Sequence, residues 1–258
     1  MYIFTGKFMK GKTKREEALV IVMPTYNEKS NLQKLLPRIK EVFTKNKISG
    51  GVLIVDDNSP DGTAEFIREL IPQIKASDFF LELLFRPKKL GLGTAYIAGF
   101  QKALSLNPKY ILGMDADFSH DPKFIPEIYR QLQVNQMVIG SRYVSGGGIR
   151  NWSRWRRILS KTASLYTKLV LGWKINDPTT AFVGFQKTAL KHIKFSEIKT
   201  KNYAFLVELK YLAHKANYII KEVPIVFVDR AEGKSKLNKK IVWESIVNVL
   251  LLRFRYHK

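Results

Sequence analysis

The sequence predicts an α/β protein built on a layered sheet with right-handed crossover connections. Three observations support this prediction. Short, continuously apolar runs alternate with longer segments whose apolar residues have helical spacing. Such continuous runs are typical of strands that are buried on both faces of a parallel sheet. Polar clusters follow three of the runs, and in open parallel sheets ligands bind at the carboxyl ends of the strands.

The elements follow from these patterns in chain order. The predicted strands cover residues 19–23, 52–55, 80–85, 110–114 and 137–140. The predicted helices cover residues 30–45, 63–74, 93–105 and 124–133. A late strand is predicted over residues 222–228 and an amphipathic helix over residues 239–257. This helix has two interpretations, an interfacial helix on a membrane and a C-terminal helix packed on the domain.

Composition limits the classes of protein that fit. The chain has 258 residues and is 45% hydrophobic, enough for one large domain or a domain with an appendage. It has no cysteine, which excludes disulfides, thiolate metal sites and a cysteine nucleophile. No apolar run reaches the roughly 18–20 residues that span a bilayer. The basic N-terminus lacks the apolar region of a signal peptide, so we expect neither a signal peptide nor a transmembrane helix.

The charge of the chain predicts an anionic partner. The net charge is +22, which favours nucleic acid, anionic lipid headgroups or phosphorylated substrates. Residues 128–176 include no acidic residue but many Arg and Lys, interleaved with Trp and Tyr. Basic residues mixed with these aromatics fit a membrane interface. They also fit single-stranded nucleic acid, and composition does not separate the two partners.

Two carboxylates close the fourth predicted strand. Asp115 and Asp117 stand one residue apart, and an unpaired buried charge is costly, so both belong at the exit of the strand. Mg²⁺ and Mn²⁺ prefer such oxygen ligands and share them with substrate phosphates. The alternative is an acidic turn without a ligand. His120 is a candidate third ligand, or else shapes the turn through hydrogen bonds.

Two further polar clusters lie at predicted strand ends. After the first strand, Tyr26 is placed to stack on a base and Glu28 to accept from a sugar or a base edge; the alternative is a helix cap. After the second strand, Asp56 and Asp57 suit ribose hydroxyls or a base N–H, whereas the following Pro-Asp-Gly also makes a good turn. Three clusters at one edge of a sheet favour a ligand site over three unrelated turns.

Taken together, the motifs resemble those of the polyprenol-phosphate (dolichol-phosphate) mannosyltransferases, GT-A-fold enzymes of glycosyltransferase family 2. The matching segments are 24–28, 56–63, 89–96, 115–122, 141–147, 156–160, 222–225 and 229–236, so the resemblance covers nearly the whole chain. The most specific parts are Ser119-His120-Asp121-Pro122, Ser141-Arg142-Tyr143 and Gly233-x-Ser235-Lys236. The implied fold is a mostly parallel central sheet with helices on both faces, plus the C-terminal amphipathic helix.

The resemblance also implies an activity. The expected reaction transfers mannose from GDP-mannose to a polyprenyl (dolichyl) monophosphate by a metal-assisted, inverting displacement. The alternative is a hexosyltransferase that uses a UDP-sugar and the same lipid phosphate. A remote alternative is a non-enzymatic nucleic-acid-binding protein, which explains the charge but not the carboxylate clusters. We therefore expect no nucleic-acid partner.

The resemblance assigns roles to residues by position. Asp115, Asp117 and Arg142 are the expected catalytic residues. Mg²⁺ or Mn²⁺ is expected at Asp117 and Ser119, and the acceptor phosphate at Arg142, Arg156 and Ser160. The residues expected to bind the donor are Pro24, Tyr26, Glu28, Asp56, Asp57, Asp115, Arg230 and Lys236.

The resemblance has two departures. Ala181 and Val183 stand where relatives carry a glycine and a basic residue. Many relatives continue into transmembrane helices, whereas this sequence ends at Lys258. The expected organisation is a basic tail (1–17), a catalytic domain (18–237) and an amphipathic, membrane-proximal helix (238–258). The enzyme is expected to lie peripherally on the cytoplasmic face of an anionic membrane, with a small membrane-anchoring subunit as a candidate partner.

Overall fold

The computed structural model describes residues 18–74, 78–200, 204–229 and 239–256, with side chains from Ile246 onward in the last range. The strands are β1 (Leu19–Thr25), β2 (Gly50–Asp56), β3 (Phe79–Phe85), β4 (Tyr110–Gly113), β5 (Met137–Ser141), β6 (Gly148–Arg150), β7 (Val183–Gln186), β8 (Ile220–Pro224) and β9 (Val226–Val228). The α-helices are α1 (Lys29–Lys45), α2 (Thr63–Leu70), α3 (Leu92–Ser105), α4 (Ile125–Leu132), α5 (Arg154–Leu171), α6 (Lys187–His192), α7 (Ala204–Lys215) and α8 (Lys239–Arg255).

The main sheet has the order β3-β2-β1-β4-β7-β5-β8. Strand β7 runs antiparallel to both of its neighbours, and the other neighbouring strands pair in parallel. The sheet is therefore mostly parallel, as predicted. Its order places β1, β2 and β4 side by side, so the three polar segments that follow these strands meet at one edge of the sheet.

Helices cover both faces of the sheet because the side chains of a strand alternate between them. In β1, Leu19, Ile21 and Met23 join a core with α1, α2 and α4. Val20 and Val22 instead join the core that contains α3, α7 and the buried residues of α8. A Cβ atom at Gly99 of α3 would lie 2.4 Å from Val22 Cγ1, so glycine permits the close approach of this helix to the sheet.

The predicted late strand over residues 222–228 is wrong in one respect, because it forms two strands in two sheets. Strand β8 pairs with β5 in the main sheet, whereas β9 pairs with β6 in a small two-stranded sheet. Pro224 has no backbone N–H and cannot continue a two-sided ladder. At Ile225 the backbone N–H still donates to Ser141 while its carbonyl accepts from Gly148, so the chain changes sheets at this residue.

Helix α5 lies in the acid-free stretch, which carries no helix prediction. The first turn of α5 is capped by Ser153, whose hydroxyl accepts a hydrogen bond from the backbone N–H of Arg156. It ends at Gly172, which adopts the left-handed conformation that glycine tolerates best. Strands β6 and β7 and helix α6 also lie between the predicted elements.

The C-terminal helix forms as predicted and packs on the domain. Val249 and Leu252 are buried in the core that α7 also lines. Glu208 of α7 is completely buried, and its Oε1 accepts from Arg255 (3.0 Å) and from the Tyr256 hydroxyl (2.9 Å). This carboxylate therefore fastens the end of α8 to the domain. The predicted basic tail, residues 1–17, lies outside the described residues.

Candidate functional site

The loop after β4 holds Asp115 and Asp117 at the edge of the sheet. Asp115 Oδ1 accepts a hydrogen bond from the Tyr96 hydroxyl of α3 at 2.8 Å. Asp117 Oδ1 accepts from the backbone N–H and the hydroxyl of Ser119, at 3.1 and 2.5 Å. Phe118, between Asp117 and Ser119, has a φ of 63°, which places it in the left-handed region that bulky residues rarely adopt. The loop is thus held in a tight turn that keeps both carboxylates at the strand exit.

His120 shapes this loop rather than extending its ligand set. Its Nδ1 accepts from the backbone N–H of Asp115 at 3.0 Å, and its ring stacks on Phe182 with centroids 4.8 Å apart. Burial lowers the pKa of His120, although the nearby carboxylates of Asp115 and Asp117 oppose this effect. A neutral ring whose Nδ1 accepts carries its proton on Nε2. The turn-shaping interpretation of His120 therefore agrees with the structure.

The donor set at this loop fits Mg²⁺ or Mn²⁺. Two carboxylates one residue apart and the Ser119 hydroxyl are hard oxygen ligands. Among the described residues, no group of three or more His, Asp or Glu side chains is arranged to hold a metal. Mg²⁺ sites that contain substrate use one or two carboxylates and take further ligands from phosphate oxygens and water. The residues present match this second kind of site.

The predicted nucleoside residues lie at the ends of β1 and β2. Asp56 is completely buried, and its Oδ1 accepts from the hydroxyls of Thr25 (3.1 Å) and Ser59 (2.5 Å). The Ser59 hydroxyl in turn accepts from the backbone N–H of Asn27 at 3.0 Å. Asp56 therefore holds the two loops against each other, a role that the sequence prediction of sugar or base binding did not include.

Tyr26 and Pro24 also lie at this edge, Pro24 opposite Val55 in the β1–β2 register. The Lys89 ammonium stands 3.7 Å above the centre of the Tyr26 ring. The backbone N–H of Glu28 donates to the Thr63 hydroxyl at 3.3 Å. The residues of the first cluster thus lie beside those of the second, as expected from neighbouring parallel strands.

Asp57 forms a buried ion pair that sequence reasoning missed. Arg86 Nε lies 3.1 Å from Asp57 Oδ1, and both side chains are largely buried. Burial raises the pKa of Asp57, while the Arg86 charge opposes the rise. Arg86 also donates to the Thr94 hydroxyl at 2.8 Å, so it fixes the glycine-rich loop of residues 86–93 against α3.

Arg142 is held by a carboxylate that had no assigned role. Its Nε and NH2 groups donate to the two oxygens of Asp177 at 2.7 and 2.6 Å, and its backbone N–H donates to Asp177 as well. Burial favours the neutral form of Asp177, but the charge of Arg142 and its hydrogen bonds outweigh this effect and lower the pKa of Asp177. The pair is therefore ionised, bidentate and almost fully shielded from water.

The structure brings the three predicted acceptor residues together. The guanidinium carbons of Arg142 and Arg156 lie 5.6 and 4.1 Å from the centre of the Trp152 ring, and Ser160 accepts from the Tyr143 hydroxyl at 2.6 Å. We call Arg142, Tyr143, Trp152, Arg156 and Ser160 the acceptor cluster. Within the described part of the chain, the buried N–H groups of Trp152 Nε1 and Arg156 Nε have no acceptor. Unsatisfied donors are costly, and they suit an anion.

The acceptor cluster is electrostatically connected to the carboxylates of the β4 loop. Burial opposes the charge of Arg142, but the carboxylate of Asp177 and, less strongly, that of Asp115 raise its pKa. The charges of Asp115 and Arg142 also act on the pKa of His120, in opposite directions. The Phe227 ring, on β9, packs within 6.0 Å of His120 and within 5.3 Å of the Arg142 guanidinium carbon. Carboxylates suited to a metal and arginines suited to a phosphate therefore lie on neighbouring loops.

The half-buried Glu222 and the fully buried Lys210 clamp the segment that carries Asp177. Glu222 of β8 accepts from the backbone N–H groups of Asn176 and Asp177, at 2.9 and 3.0 Å. From the other side, Lys210 of α7 donates to the carbonyl oxygens of Pro178 (2.9 Å) and Thr180 (2.7 Å). Val183, where the resemblance expects a basic residue, is buried in β7. Lys210 instead brings a basic side chain to this segment from another element.

Lys210→Met is expected to change the pH dependence of stability. Burial lowers the pKa of Lys210 to about 7 in the folded protein, against an ordinary value near 10.4. Between these values the unfolded chain binds more protons, so the wild-type free energy of unfolding rises with pH. This contribution amounts to about 2 kcal/mol between pH 6.5 and 8.5 and is lost as the pH falls through 7.

Urea unfolding at the two pH values measures this effect. The difference in unfolding free energy between wild type and Lys210→Met should shift by that amount. Lys191→Met, at an exposed site on α6, is the matched control and should keep the wild-type pH dependence. An unchanged pH dependence in Lys210→Met would show that Lys210 does not titrate in this range.

Arg230 and Lys236, the predicted diphosphate ligands, lie outside the described residues. The other predicted donor and acceptor residues lie at the carboxyl end of the sheet or at the start of α5. Five residues that support the site were not identified from the sequence: Tyr96, Arg86, Asp177, Lys210 and Glu222. Tyr96 and Glu222 lie in segments that match the family, and Arg86 lies three residues before such a segment, so the sequence carried a signal for these three. Asp177 lies four residues before Ala181, the first departure from the family pattern, and nothing local pointed to Lys210.

A family model and two known proteins resemble this chain over most of its length. Residues 20–194 match the model of the family described as glycosyl transferase family 2. The undecaprenyl-phosphate mannosyltransferase of Micrococcus luteus is 36% identical over 231 residues, which are 90% of this chain and 92% of that protein. The polyprenol monophosphomannose synthase of Mycolicibacterium smegmatis is 36% identical over 232 residues, which are 89% of this chain and 84% of that protein.

A solved structure supports the fold. Glucosyl-3-phosphoglycerate synthase from Mycobacterium tuberculosis, in complex with Mn²⁺, UDP and glucosyl-3-phosphoglycerate, matches with a TM-score of 0.63 and 14% identity. The match covers 93% of this chain and 79% of that one. The predicted GT-A architecture is confirmed. With a family model that matches most of the chain and relatives that match along nearly all of it, the chain belongs to glycosyl transferase family 2.

Proposed function

We propose that the enzyme transfers mannose from GDP-mannose to a polyprenyl monophosphate and releases GDP. The observation that carries this proposal is the acceptor cluster, where Arg142 and Arg156 meet at one aromatic ring beside the carboxylates of the β4 loop. The names of the relatives from Micrococcus luteus and Mycolicibacterium smegmatis support the lipid acceptor and the mannosyl group. The assignment of GDP rests on the sequence resemblance.

The proposed reaction is a single displacement. An oxygen of the acceptor phosphate attacks the anomeric carbon of the mannose, and the bond from that carbon to the diphosphate oxygen breaks as its electron pair leaves with GDP. Attack from the face opposite the leaving group inverts the anomeric configuration. The acceptor needs no general base, because the second pKa of a phosphate monoester is about 6 and the group is largely ionised at neutral pH.

Two anions must approach each other, so positioning and charge neutralisation supply the catalysis. Arg142 and Arg156 offset the acceptor charge, and the Ser160 hydroxyl donates to a phosphate oxygen. The bidentate contact with Asp177 orients Arg142 before the substrate arrives. At the donor, Asp115 binds the sugar, and Pro24, Tyr26, Glu28, Asp56 and Asp57 line the nucleoside site.

Asp117 and Ser119 would hold Mg²⁺ or Mn²⁺, with Asp115 nearby. A bound divalent ion supplies Lewis-acid stabilisation of the leaving diphosphate. The Ser119 N–H and hydroxyl orient the Asp117 carboxylate through two hydrogen bonds to Oδ1. Arg230 and Lys236 are proposed to bind the same diphosphate. The catalytic unit is proposed to be residues 18–237, on the cytoplasmic face of a membrane and with a small membrane-anchoring subunit as a candidate partner.

A panel of radiolabelled nucleotide-sugars tests the proposal. Purified protein with Mg²⁺ or Mn²⁺ is incubated with a polyprenyl phosphate and GDP-mannose, GDP-glucose, UDP-glucose or UDP-galactose. Label should enter the lipid product from GDP-mannose and depend on the metal. Transfer from a UDP-sugar instead would establish the alternative hexosyltransferase, and the absence of transfer from every donor would refute the proposed reaction.

A further inference from the structure

Lys210 of α7 is a completely buried lysine to which the proposed mechanism assigns no role. Lysine is almost never fully buried unless it has partners, because a cation loses its hydration in the core. Here the Nζ group donates to the backbone carbonyl oxygens of Pro178 and Thr180, at 2.9 and 2.7 Å. An apolar residue would fill this position at lower cost, so packing alone does not explain a lysine here.

The other two residues of the 177–180 segment hold Arg142. The carboxylate of Asp177 accepts from the Nε and NH2 groups of Arg142, at 2.7 and 2.6 Å. The Thr179 hydroxyl accepts from the same NH2 group at 2.8 Å. Alternate residues of one short segment therefore contact Lys210 through their carbonyls and Arg142 through their side chains. A shift of this segment would move both acceptors of the guanidinium, so Lys210 helps to fix the orientation of Arg142.

Each arginine of the acceptor cluster is already paired with a carboxylate. Arg142 pairs with Asp177, and Arg156 pairs with Asp229. These two pairs carry no net charge, whereas a phosphate monoester carries nearly two negative charges at neutral pH. A further cation beside the pairs favours such an anion. Lys210 is close enough to the first pair for the charges of Asp177 and Arg142 to act on its pKa.

We propose that Lys210 is a positioning residue for the acceptor phosphate, which holds the segment that orients Arg142 and adds a buried positive charge that favours the bound anion. Lys210 acts through the 177–180 segment and through its electric field, without contact with the substrate. The inference rests on the proposed function in one respect, because it takes the acceptor cluster as the site of a phosphate.

The charge of Lys210 changes near neutral pH. Burial lowers the pKa of Lys210 to about 7, the charge of Arg142 adds to this effect, and the carboxylates of Asp177 and Glu222 oppose it. A neutral amine keeps two N–H donors, one for each carbonyl, so deprotonation removes the charge and preserves the clamp. A phosphate that favours the charged form should therefore bind more weakly as the pH rises through the pKa of Lys210.

The pH dependence of phosphate binding tests the proposal. Calorimetry measures the Kd of geranyl monophosphate, a short water-soluble acceptor, for the full chain at about pH 6.5 and about pH 8.5. The ligand titrates in the same way with every variant, so a ratio of two Kd values at one pH removes its contribution. The advantage of wild type over Lys210→Met should be roughly three- to tenfold larger at the lower pH, the size expected for one partly screened charge.

Two further variants separate the orientation of Arg142 from the charge. Thr179→Val removes the hydroxyl that accepts from Arg142 NH2 and leaves Lys210 in place. It should weaken phosphate binding at both pH values and keep the wild-type pH dependence. Lys191→Met, at an exposed site on α6, should bind like wild type at both pH values. A ratio between wild type and Lys210→Met that does not change with pH would show that the charge of Lys210 has no effect on the acceptor.

Wild type alone gives a second measurement, which does not depend on the folding of any variant. Binding of geranyl monophosphate near pH 7.5 should take up roughly 0.3–0.5 proton, because the phosphate raises the pKa of Lys210. Calorimetry in buffers of different ionisation enthalpy measures this uptake. The ligand itself is already ionised at this pH and supplies almost no proton change. Binding without proton uptake would overturn the proposal.

Transfer assays separate this proposal from the proposed function, because binding of the phosphate needs no sugar donor. If wild type transfers no sugar but binds geranyl monophosphate with the pH dependence that Lys210→Met loses, the proposed reaction fails and the role of Lys210 stands. If wild type transfers sugar and its acceptor affinity changes with pH in parallel with that of Lys210→Met, the role of Lys210 fails and the reaction stands. A chain that binds no prenyl phosphate would refute both.

Discussion

Asp117→Asn is expected to lower kcat/KM for sugar transfer by about 10²–10³-fold while the fold stays intact. The side-chain oxygen of asparagine can still accept from the backbone N–H and hydroxyl of Ser119, so the turn is preserved. What is lost is the negative charge that would bind a divalent cation. The measurement is initial-rate kinetics over a titration of Mn²⁺, alongside Mn²⁺ binding to the protein in the presence of GDP.

The matched control for this variant lies in the same loop. Asp121 caps the short helical turn after the loop, accepting from the Lys123 backbone N–H at 3.0 Å, and forms an exposed ion pair with Lys123. Asp121→Asn keeps the cap and should retain most activity. Thermal unfolding should give similar midpoints for both variants. Wild-type activity and Mn²⁺ affinity in Asp117→Asn would remove Asp117 from the metal site.

The core of the fold was predictable because its signal is local. Strands β1, β2 and β4 are buried on both faces, so each reads as a continuous apolar run. Helix α5 was missed for a physical reason. Its buried stripe is small and partly polar while its exposed stripe is apolar, which reverses the pattern from which amphipathic helices are recognised.

The candidate site was predictable in its residue types and not in its partners. Asp115, Asp117 and Arg142 stand in motifs that can be read along the chain. The ion pair between Arg142 and Asp177 joins residues 35 positions apart, and Lys210 reaches the same segment from another helix. No periodicity encodes such contacts, because they depend on how β5, β7 and α7 are placed in space.

Asp177→Ala is expected to lower the free energy of unfolding by about 3–5 kcal/mol and to abolish most transfer activity. The pair with Arg142 is almost fully buried, so the loss of the carboxylate leaves a shielded guanidinium without a counter-charge. The contact also orients Arg142 toward the proposed acceptor phosphate. Urea unfolding measures the first effect, and initial-rate kinetics with a polyprenyl phosphate measure the second.

A second arginine–aspartate pair in the same site is the control. Arg156 NH1 donates to both oxygens of Asp229, at 3.0 and 2.9 Å, but about 30% of each side chain is exposed. Asp229→Ala should therefore cost less than about 1 kcal/mol of stability. Equal losses in the two variants would show that burial does not set the cost of breaking these pairs.

A double variant separates the structural role of the buried pair from its role in binding. Replacing a buried ion pair with apolar residues of similar size is often neutral for stability, whereas removing one partner is not. Arg142→Met/Asp177→Leu should therefore regain most of the unfolding free energy that Asp177→Ala loses. It should not regain transfer, because methionine cannot neutralise or hydrogen-bond a phosphate. Recovery of both stability and activity would mean that Arg142 only supports the fold.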